Sequence, residues 1–342
     1  MLEITELWGD GIGPELRESI HALVATLPLD IRFLPVDLSL ENRERRGAEI
    51  FDEAVESMRK TRLALKYPTV TRGESPNAVL RRRLSFSVIH RPVISIRGIS
   101  SNFKEDVFLH VVRVATGGTY ADPGMLIGTD TAVSLRIVER KPCREAATFA
   151  FEFARSKGLT VTSSSKHTIQ AVTDGLFESV VRDVHQNYPD VEHRVELFDA
   201  LLAKIIIRPQ DYQVVLVLNE YGDFLSDMAC GLVGSLGTGA SGSYSFDSDG
   251  RVEVAMFDPA GGTAPDIAGQ DKCNPAAALL AFGMLLDHID RYDLGHALRM
   301  ALLNSIADGK CTSDLGGELT TSGFTQVVAD GLEELLAEST TR

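Results

Sequence analysis

Apolar and polar positions along this chain fall into two periods. Short apolar or β-branched runs at 2–8, 31–35, 62–66, 86–89, 107–114, 160–164, 194–197, 214–218 and 253–257 read as strands. Apolar residues spaced by three and four predict helices between them. Leu16, Ile20, Leu23 and Val24 form one such stripe, started by Pro14 at the first helical position, and Leu225, Met228 and Leu232 form another. Further helices are expected at 48–58, 139–156, 170–184, 277–288, 295–306 and 324–336. Residues 129–138 read as an arm strand, and the glycine- and serine-rich stretch 234–245 as a crossover or hinge.

Composition narrows the class. The 342 residues make room for one large or two medium domains, and 44% hydrophobic with 24% charged content is that of an ordinary soluble globular protein. A net charge of −14 argues against a nucleic-acid partner, which needs a basic face, but leaves room for a local basic pocket. The chain opens on a strand with no secretory pattern, and no apolar run approaches a membrane span. Cys143, Cys230, Cys273 and Cys311 form no CxxC pair and read as reduced thiols of a cytoplasmic protein.

Several stretches carry candidate chemistry. Asp223 and Asp227, in Asn-Glu-Tyr-Gly-Asp-Phe-Leu-Ser-Asp (219–227), lie one turn apart on the expected helix and face the same way. A hard divalent cation would offset their repulsion. The alternative, aspartate at the positive end of the helix dipole, suits Asp223 better than Asp227. Ser75, Asn77 and Arg81 sit in a loop leading into a helix, and Arg91 follows a strand. Guanidinium forks pair bidentately with carboxylates, so this set fits a polycarboxylate; beside Arg82 and Arg83 it also fits a basic solvated face. Lys166 alone reads as a surface lysine, and Asp199 at a helix start as a cap. The turn 9–13 could hold an anion, but its GxGxG spacing, with no acidic residue closing a compact βαβ unit, is not the dinucleotide fingerprint. The loop 258–275 is long enough to be functional.

Taken together, these strings resemble the β-decarboxylating dehydrogenases acting on isocitrate, homoisocitrate, 3-isopropylmalate and tartrate or malate. The resemblance covers roughly residues 1–330 through GDGIGPE (9–15), Ser-x-Asn-x-x-x-Arg with Arg-Pro ten residues on (75–92), Arg113 to Tyr120, Val-Thr-Ser-Ser-Ser-Lys (161–166), the 219–227 string, Thr-Ala-Pro-Asp-Ile-Ala-Gly (263–269) and Thr-Ser-Asp-Leu-Gly-Gly (312–317). The substrate loop is nearest the isocitrate branch, whereas Thr-Gly-Gly before Thr119 is nearer the isopropylmalate branch.

The resemblance implies a two-domain α/β fold with a mixed sheet unlike the Rossmann type. Residues 1–95 and 236–342 would form the large cofactor-binding domain, and 96–235 a small domain with the dimer contact and metal carboxylates. Ser75, Asn77, Arg81, Arg91 and Arg113 would bind substrate. Asp223 and Asp227, with Asp199 from the other subunit of a homodimer, would hold Mg²⁺ or Mn²⁺. Lys166, also lent across the interface, would take the substrate hydroxyl proton, aided by Asp199, and Tyr120 would protonate the enol. NAD would be held by Ile12, Gly262, Thr263, Ala264, Asp266 and Asn274, the Asp266 carboxylate disfavouring NADP.

Four departures from the family pattern bear on fit. The loop 66–75 is shortened, Val114 replaces a glutamate, Thr168 an asparagine, and Gly261 a histidine. The expected activity is therefore NAD-linked oxidative decarboxylation of an isocitrate-type 2-hydroxy acid. The alternatives are the same chemistry on homoisocitrate, 3-isopropylmalate, tartrate, malate or an anion analogue of isocitrate, or a non-catalytic regulatory subunit.

Overall fold

The computed structural model describes residues 1–234 and 239–340. Its first part runs β1 (Leu2–Trp8), α1 (Gly13–Val24), β2 (Ile31–Asp37), α2 (Leu40–Arg46), α3 (Glu49–Thr61), β3 (Leu63–Lys66), α4 (Pro76–Arg83) and β4 (Val88–Ile94). The middle runs β5 (Phe108–Val114), β6 (Met125–Ile127), β7 (Thr131–Val133), α5 (Arg140–Lys157), β8 (Val161–Ser165), α6 (Thr173–His185), β9 (His193–Leu197), α7 (Phe198–Ile207), β10 (Val214–Val217) and α8 (Asn219–Val233). The last part holds β11 (Ala240–Phe246), β12 (Val252–Pro259), α9 (Ala276–His288), α10 (Tyr292–Ala307) and α11 (Thr321–Thr340).

Ten of these strands form one sheet in the order β2-β1-β3-β12-β11-β4-β5-β10-β8-β9. The two flanks are parallel, and β11 and β4 run antiparallel to their neighbours at the centre. A parallel sheet needs apolar cover on both faces, and the helices supply it. On one flank, α1, α9, α10 and α11 cover one face and α3 the other; on the second flank, α5 and α6 oppose α7 and α8. The apolar runs explain this burial: Val214, Val215, Leu216 and Val217 of β10 are all fully buried. This is the expected α/β architecture with a mixed sheet.

Four local expectations change. The 240–245 part of the expected hinge is strand β11, and 235–238 lie outside the described residues. Its composition, Ala-Ser-Gly-Ser-Tyr-Ser-Phe, hid the strand, because a central position between β12 and β4 takes small buried side chains such as Ser241, Ser243 and Ser245. The expected strand at 86–89 extends through β4, so Arg91 lies within a strand and does not follow one. Asn77 and Arg81 lie in α4, with Ser75 at its N-cap position. The arm is a hairpin of β6 and β7 whose Met125, Leu126 and Ile127 are exposed.

Candidate active site

Strand register explains how distant arginines meet. In the β4–β5 pair, Ile89 lies opposite Arg113 and Arg91 opposite Val111. Residues two apart on a strand share a face, as do cross-strand partners. Arg91 and Arg113 therefore leave the same face of the sheet, toward α8. There Arg91 Nη1 donates to Ser226 Oγ at 2.8 Å and Asp227 Oδ1 at 2.9 Å. Arg113 Nε donates to Asn219 Oδ1 at 2.9 Å, and its Nη1 to Asp223. Tyr120, on the turn after β5, donates from its hydroxyl to the other Asp223 oxygen at 3.1 Å. One carboxylate thus gathers Arg113 and Tyr120, with Arg91 at 3.6 Å.

The helix can approach so closely because Gly222 has no side chain. A Cβ there would lie 2.6 Å from Arg113 Cβ. Asn219 also donates to the Gly117 carbonyl at 3.0 Å, which ties α8 to the loop carrying Tyr120. Asn219, Gly222 and Ser226 were part of the 219–227 string without an assigned role; their function as supports for Arg113 and Arg91 is visible only when the helix lies on the strands.

Arg81 faces the same cluster. Burial lowers its pKa; Asp258 opposes the shift, neighbouring Arg91 adds to it, and Asp223 opposes it. Burial also pushes the Arg113 guanidinium down to about 10, against the pull of Asp223. Arg81, Arg91 and Arg113, with Asp223, Asp227 and Asp258 around them, bring together three buried or half-buried guanidiniums of the kind that pair with carboxylates. The buried Nε atoms of Arg81 and Arg91 and the buried Asn77 Oδ1 have no hydrogen-bond partner, which is where a substrate with carboxylate and hydroxyl groups has bonds to offer. Burial and the Asp223 charge raise the Tyr120 pKa, so its phenol keeps its proton near neutrality. Behind the arginines lies Lys66, which sequence reading passed over. Burial pushes its ammonium down to about 8, while Asp258 counters that shift.

Lys166 and Asp199 stand apart. Lys166 Nζ donates to Asp199 Oδ1 at 2.6 Å, and this bond holds the exposed Asp199 carboxyl below its usual range. Among the described residues neither side chain bonds to the Asp223 cluster, and no group of three histidine, cysteine or acidic side chains is poised to hold a metal. The donor chemistry of α8 still fits a hard cation in part. Asp223 and Asp227 offer oxygens one turn apart on one helix face, and Asp227 is 61% exposed. Two such carboxylates suit Mg²⁺ or Mn²⁺, with the remaining positions open to substrate, water or a further carboxylate.

The expected cofactor residues form a second assembly. Ile12 N–H donates to the Thr263 carbonyl at 3.0 Å, which joins the turn after β1 to the loop after β12. Gly11, at φ +58°, permits that contact, since a side chain there would meet the same carbonyl. Glu15 clamps the loop by accepting from the backbone of Gly269 at 2.9 Å and Asp271 at 2.8 Å. Asn274 donates to Asp314 at 2.9 Å. Gly262 and Asp266 are exposed, Thr263 is half-buried, and Ala264 adopts φ +38°.

Comparison with known proteins places the chain in a family. The family described as isocitrate/isopropylmalate dehydrogenase matches residues 3–328. The mitochondrial isocitrate dehydrogenase [NAD] catalytic subunit 5 of Arabidopsis thaliana is 34% identical, the match covering 95% of this chain and 87% of that protein. The mitochondrial isocitrate dehydrogenase [NAD] subunit alpha of Rattus norvegicus is 32% identical, over 97% of this chain and 91% of its own. Among solved structures, isocitrate dehydrogenase from Methylococcus capsulatus superposes with a TM-score of 0.88 at 30% identity, covering 97% of this chain and 100% of that one. A β-decarboxylating dehydrogenase from Thermococcus kodakarensis gives 0.84 at 28% identity, over 98% of each chain.

Proposed function

The chain belongs to the isocitrate/isopropylmalate dehydrogenase family, and from that premise we propose that it oxidatively decarboxylates an isocitrate-type 2-hydroxy acid with NAD as hydride acceptor. The observation that carries this reading is the convergence of Arg91, Arg113 and Tyr120 on Asp223. Arg81, Arg91 and Arg113 hold the substrate carboxylates, and Ser75 and Asn77 orient the distal one. Ser75 supports this, because at the N-cap position of α4 its side chain makes no capping bond.

Asp223 and Asp227 would hold Mg²⁺ or Mn²⁺, with Asp199 of a second copy completing the set. Ile12, Gly262, Thr263, Ala264, Asp266 and Asn274 would hold NAD. When bound, the cation supplies electron withdrawal from the reacting oxygen and NAD the hydride acceptor. Lys166, after handing its own proton to Asp199 or water, takes up the hydroxyl proton as a free amine in the neighbouring copy's cleft. Tyr120 delivers its phenolic proton to the carbon that loses carbon dioxide. A homodimer with shared sites accounts for the separation of the Lys166–Asp199 pair from Asp223 within one chain. The large domain of 1–95 and 236–342 and the small domain of 96–235 would close over the cleft. The cytoplasm is the compartment proposed, on the four free, buried cysteines; no helix among the described residues is long and apolar enough to cross a membrane.

A second substrate reading has its own support. Val114 is buried apolar core where the family carries a glutamate, and a side chain at Gly261 would meet nothing within 4 Å, which leaves open space where the family carries a histidine. Gly261 alters the cofactor loop, Val114 lies in the apolar core on the sheet face opposite Arg113, and both leave the arginines, Tyr120 and Asp223 in place.

The test is reduced-cofactor absorbance with Mg²⁺ or Mn²⁺ and isocitrate, homoisocitrate, 3-isopropylmalate, malate or tartrate, NAD and NADP being run in parallel. Metal-dependent turnover of isocitrate with NAD is expected. Turnover of another acid alone would redirect the substrate assignment. Silence across the panel would favour an anion analogue of isocitrate or a regulatory subunit, which metal and NAD binding would then separate.

A further inference from the structure

His90 precedes Arg91 on β4, so the two side chains leave opposite faces of the sheet. Arg91 serves the anion cluster. His90 packs on Phe149 and Phe153 of α5, with ring centroids at 5.6 and 4.8 Å. Its Nε2 shares a 3.0 Å hydrogen bond with Nδ1 of His110 on β5. His110 is only 8% exposed, yet its Nε2 has no hydrogen-bond partner. Either tautomer leaves that nitrogen unsatisfied, as a bare lone pair or an unused N–H. Burial keeps both imidazoles neutral, His90 with a pKa well below its ordinary value and His110 pushed down to about 4.

Both histidines line a cavity of about 280 Å³ between α5 and the α9–α10 pair, walled by Val93, Phe153 and Met284. A second hollow of about 480 Å³ shares His90, Phe153, Lys157 and Met284 with it. The cavity is roughly twice the ~150 Å³ that accommodates a benzene ring, so its apolar part suits a body of about two rings. The polar groups at the mouth are unbalanced. Asp287 and Arg299 neutralise each other through bonds of 2.7 and 3.0 Å. Lys157 has no ion pair among the described residues; its ammonium lies 5.4 Å over the Tyr292 ring.

We propose that this cavity binds an aromatic or fused-ring monocarboxylic acid carrying one hydrogen-bonding substituent. The carboxylate pairs with Lys157, the rings lie between Phe153 and Met284, and the substituent satisfies His110 Nε2. An apolar pocket with a few convergent polar groups is the usual form of a small-molecule site. The walls come from both flanks of the sheet, so the ligand bridges β4, β5 and α5 on one side and β11, α9 and α10 on the other.

The test is titration calorimetry of the full chain with 2-naphthoate, its monohydroxy isomers and 2-naphthylmethanol, with and without isocitrate. Saturable binding of the acid that isocitrate does not displace is expected. Lys157→Met should weaken the acid by roughly threefold to fivefold, the effect of a partly exposed ion pair, and bring it to the level of the alcohol. At least one hydroxy isomer should bind tighter than 2-naphthoate, and His110→Phe should abolish that advantage. Lys157 is exposed, so Lys157→Met leaves the fold intact and carries the test even where His110→Phe melts early. Absence of binding, displacement by isocitrate, equal affinity in Lys157→Met, or a hydroxyl advantage surviving His110→Phe would each overturn the proposal.

Discussion

Gly222→Ala is the sharpest probe of how the anion cluster is held. Gly222 lies in the interior of α8 and is not among the positive-φ glycines, so the backbone accepts alanine and the helix gains about 1 kcal/mol of propensity. Against that gain, the new Cβ would lie 2.6 Å from Arg113 Cβ and 2.7 Å from its Cγ. Both are about 1 Å inside the ~3.5–4.0 Å optimum between carbon atoms. Arg113 cannot retreat, because β5 is paired on both sides, to β4 and β10. Either α8 lifts or the arginine stem swings. Overpacking of this kind costs about 1–3 kcal/mol, so the net loss of stability should be on the order of 0–2 kcal/mol. The effect on activity should be larger. A displacement of about 1 Å takes the guanidinium away from Asn219 and Asp223, and misplacement on that scale costs roughly 100-fold in rate. Thermal melting alongside reduced-cofactor absorbance separates the two effects. A Gly222→Ala enzyme with unchanged melting and full kcat/KM would refute the idea that this close approach aims Arg113.

Three further predictions follow from the same contacts. Tyr120→Phe removes a half-exposed hydroxyl and should leave melting unchanged, while the decarboxylation and protonation steps slow by roughly 10²–10⁴-fold; equal loss in hydride transfer, measured separately with the 2-oxo intermediate, would count against the acid role. Glu15→Gln weakens the clamp on the Gly269 and Asp271 amides, so KM for NAD should rise roughly threefold to tenfold at unchanged kcat, as expected for a weakened charged hydrogen bond; an unaltered KM would remove Glu15 from cofactor binding. Acid should destabilise the fold through His110, whose folded pKa of about 4 lies below the unfolded value near 6.5. The unfolded chain binds more protons between those values, so the share of stability carried by His110 is complete above about pH 6.5 and falls by on the order of 3 kcal/mol toward pH 4. His90 and His193, their pKa values also lowered by burial, add to the same fall. His110→Asn should reduce, without abolishing, that part of the slope in a melting-versus-pH curve, and an unchanged slope would mean that His110 does not contribute to it.

Strands with continuous apolar runs were legible because burial on both faces leaves a plain signal. The strand β10, fully buried, coincides with its run. The strand β11 was not legible, since its central place selects small side chains and serine hydroxyls in place of bulky apolar residues. The helix α2 was also missed. Its sequence Leu-Glu-Asn-Arg-Glu-Arg-Arg has no apolar stripe; Ser39 caps it, and tertiary bonds fix it, Arg43 donating to the Val70 carbonyl at 2.7 Å and to Asp10 at 3.2 Å.

The site divides along the same line, between what lies within one element and what depends on pairing. The four-residue spacing of Asp223 and Asp227 is a property of α8 alone, so the chain displays it directly. That these carboxylates meet Arg91 and Arg113 depends on the offset between β4 and β5, which places residues 22 apart in sequence on one face. The same offset sends His90 and His110 to the other face, where no motif marked them. A shift of one residue by β4 in that pairing would turn His90 toward α8 and Arg91 into the apolar cavity against α5, while Arg113 and His110, held in register by β10, kept their faces. Burying an unpaired guanidinium among phenylalanines is far costlier than burying a neutral imidazole. The charge pattern that makes the anion cluster therefore also fixes the register that assembles it.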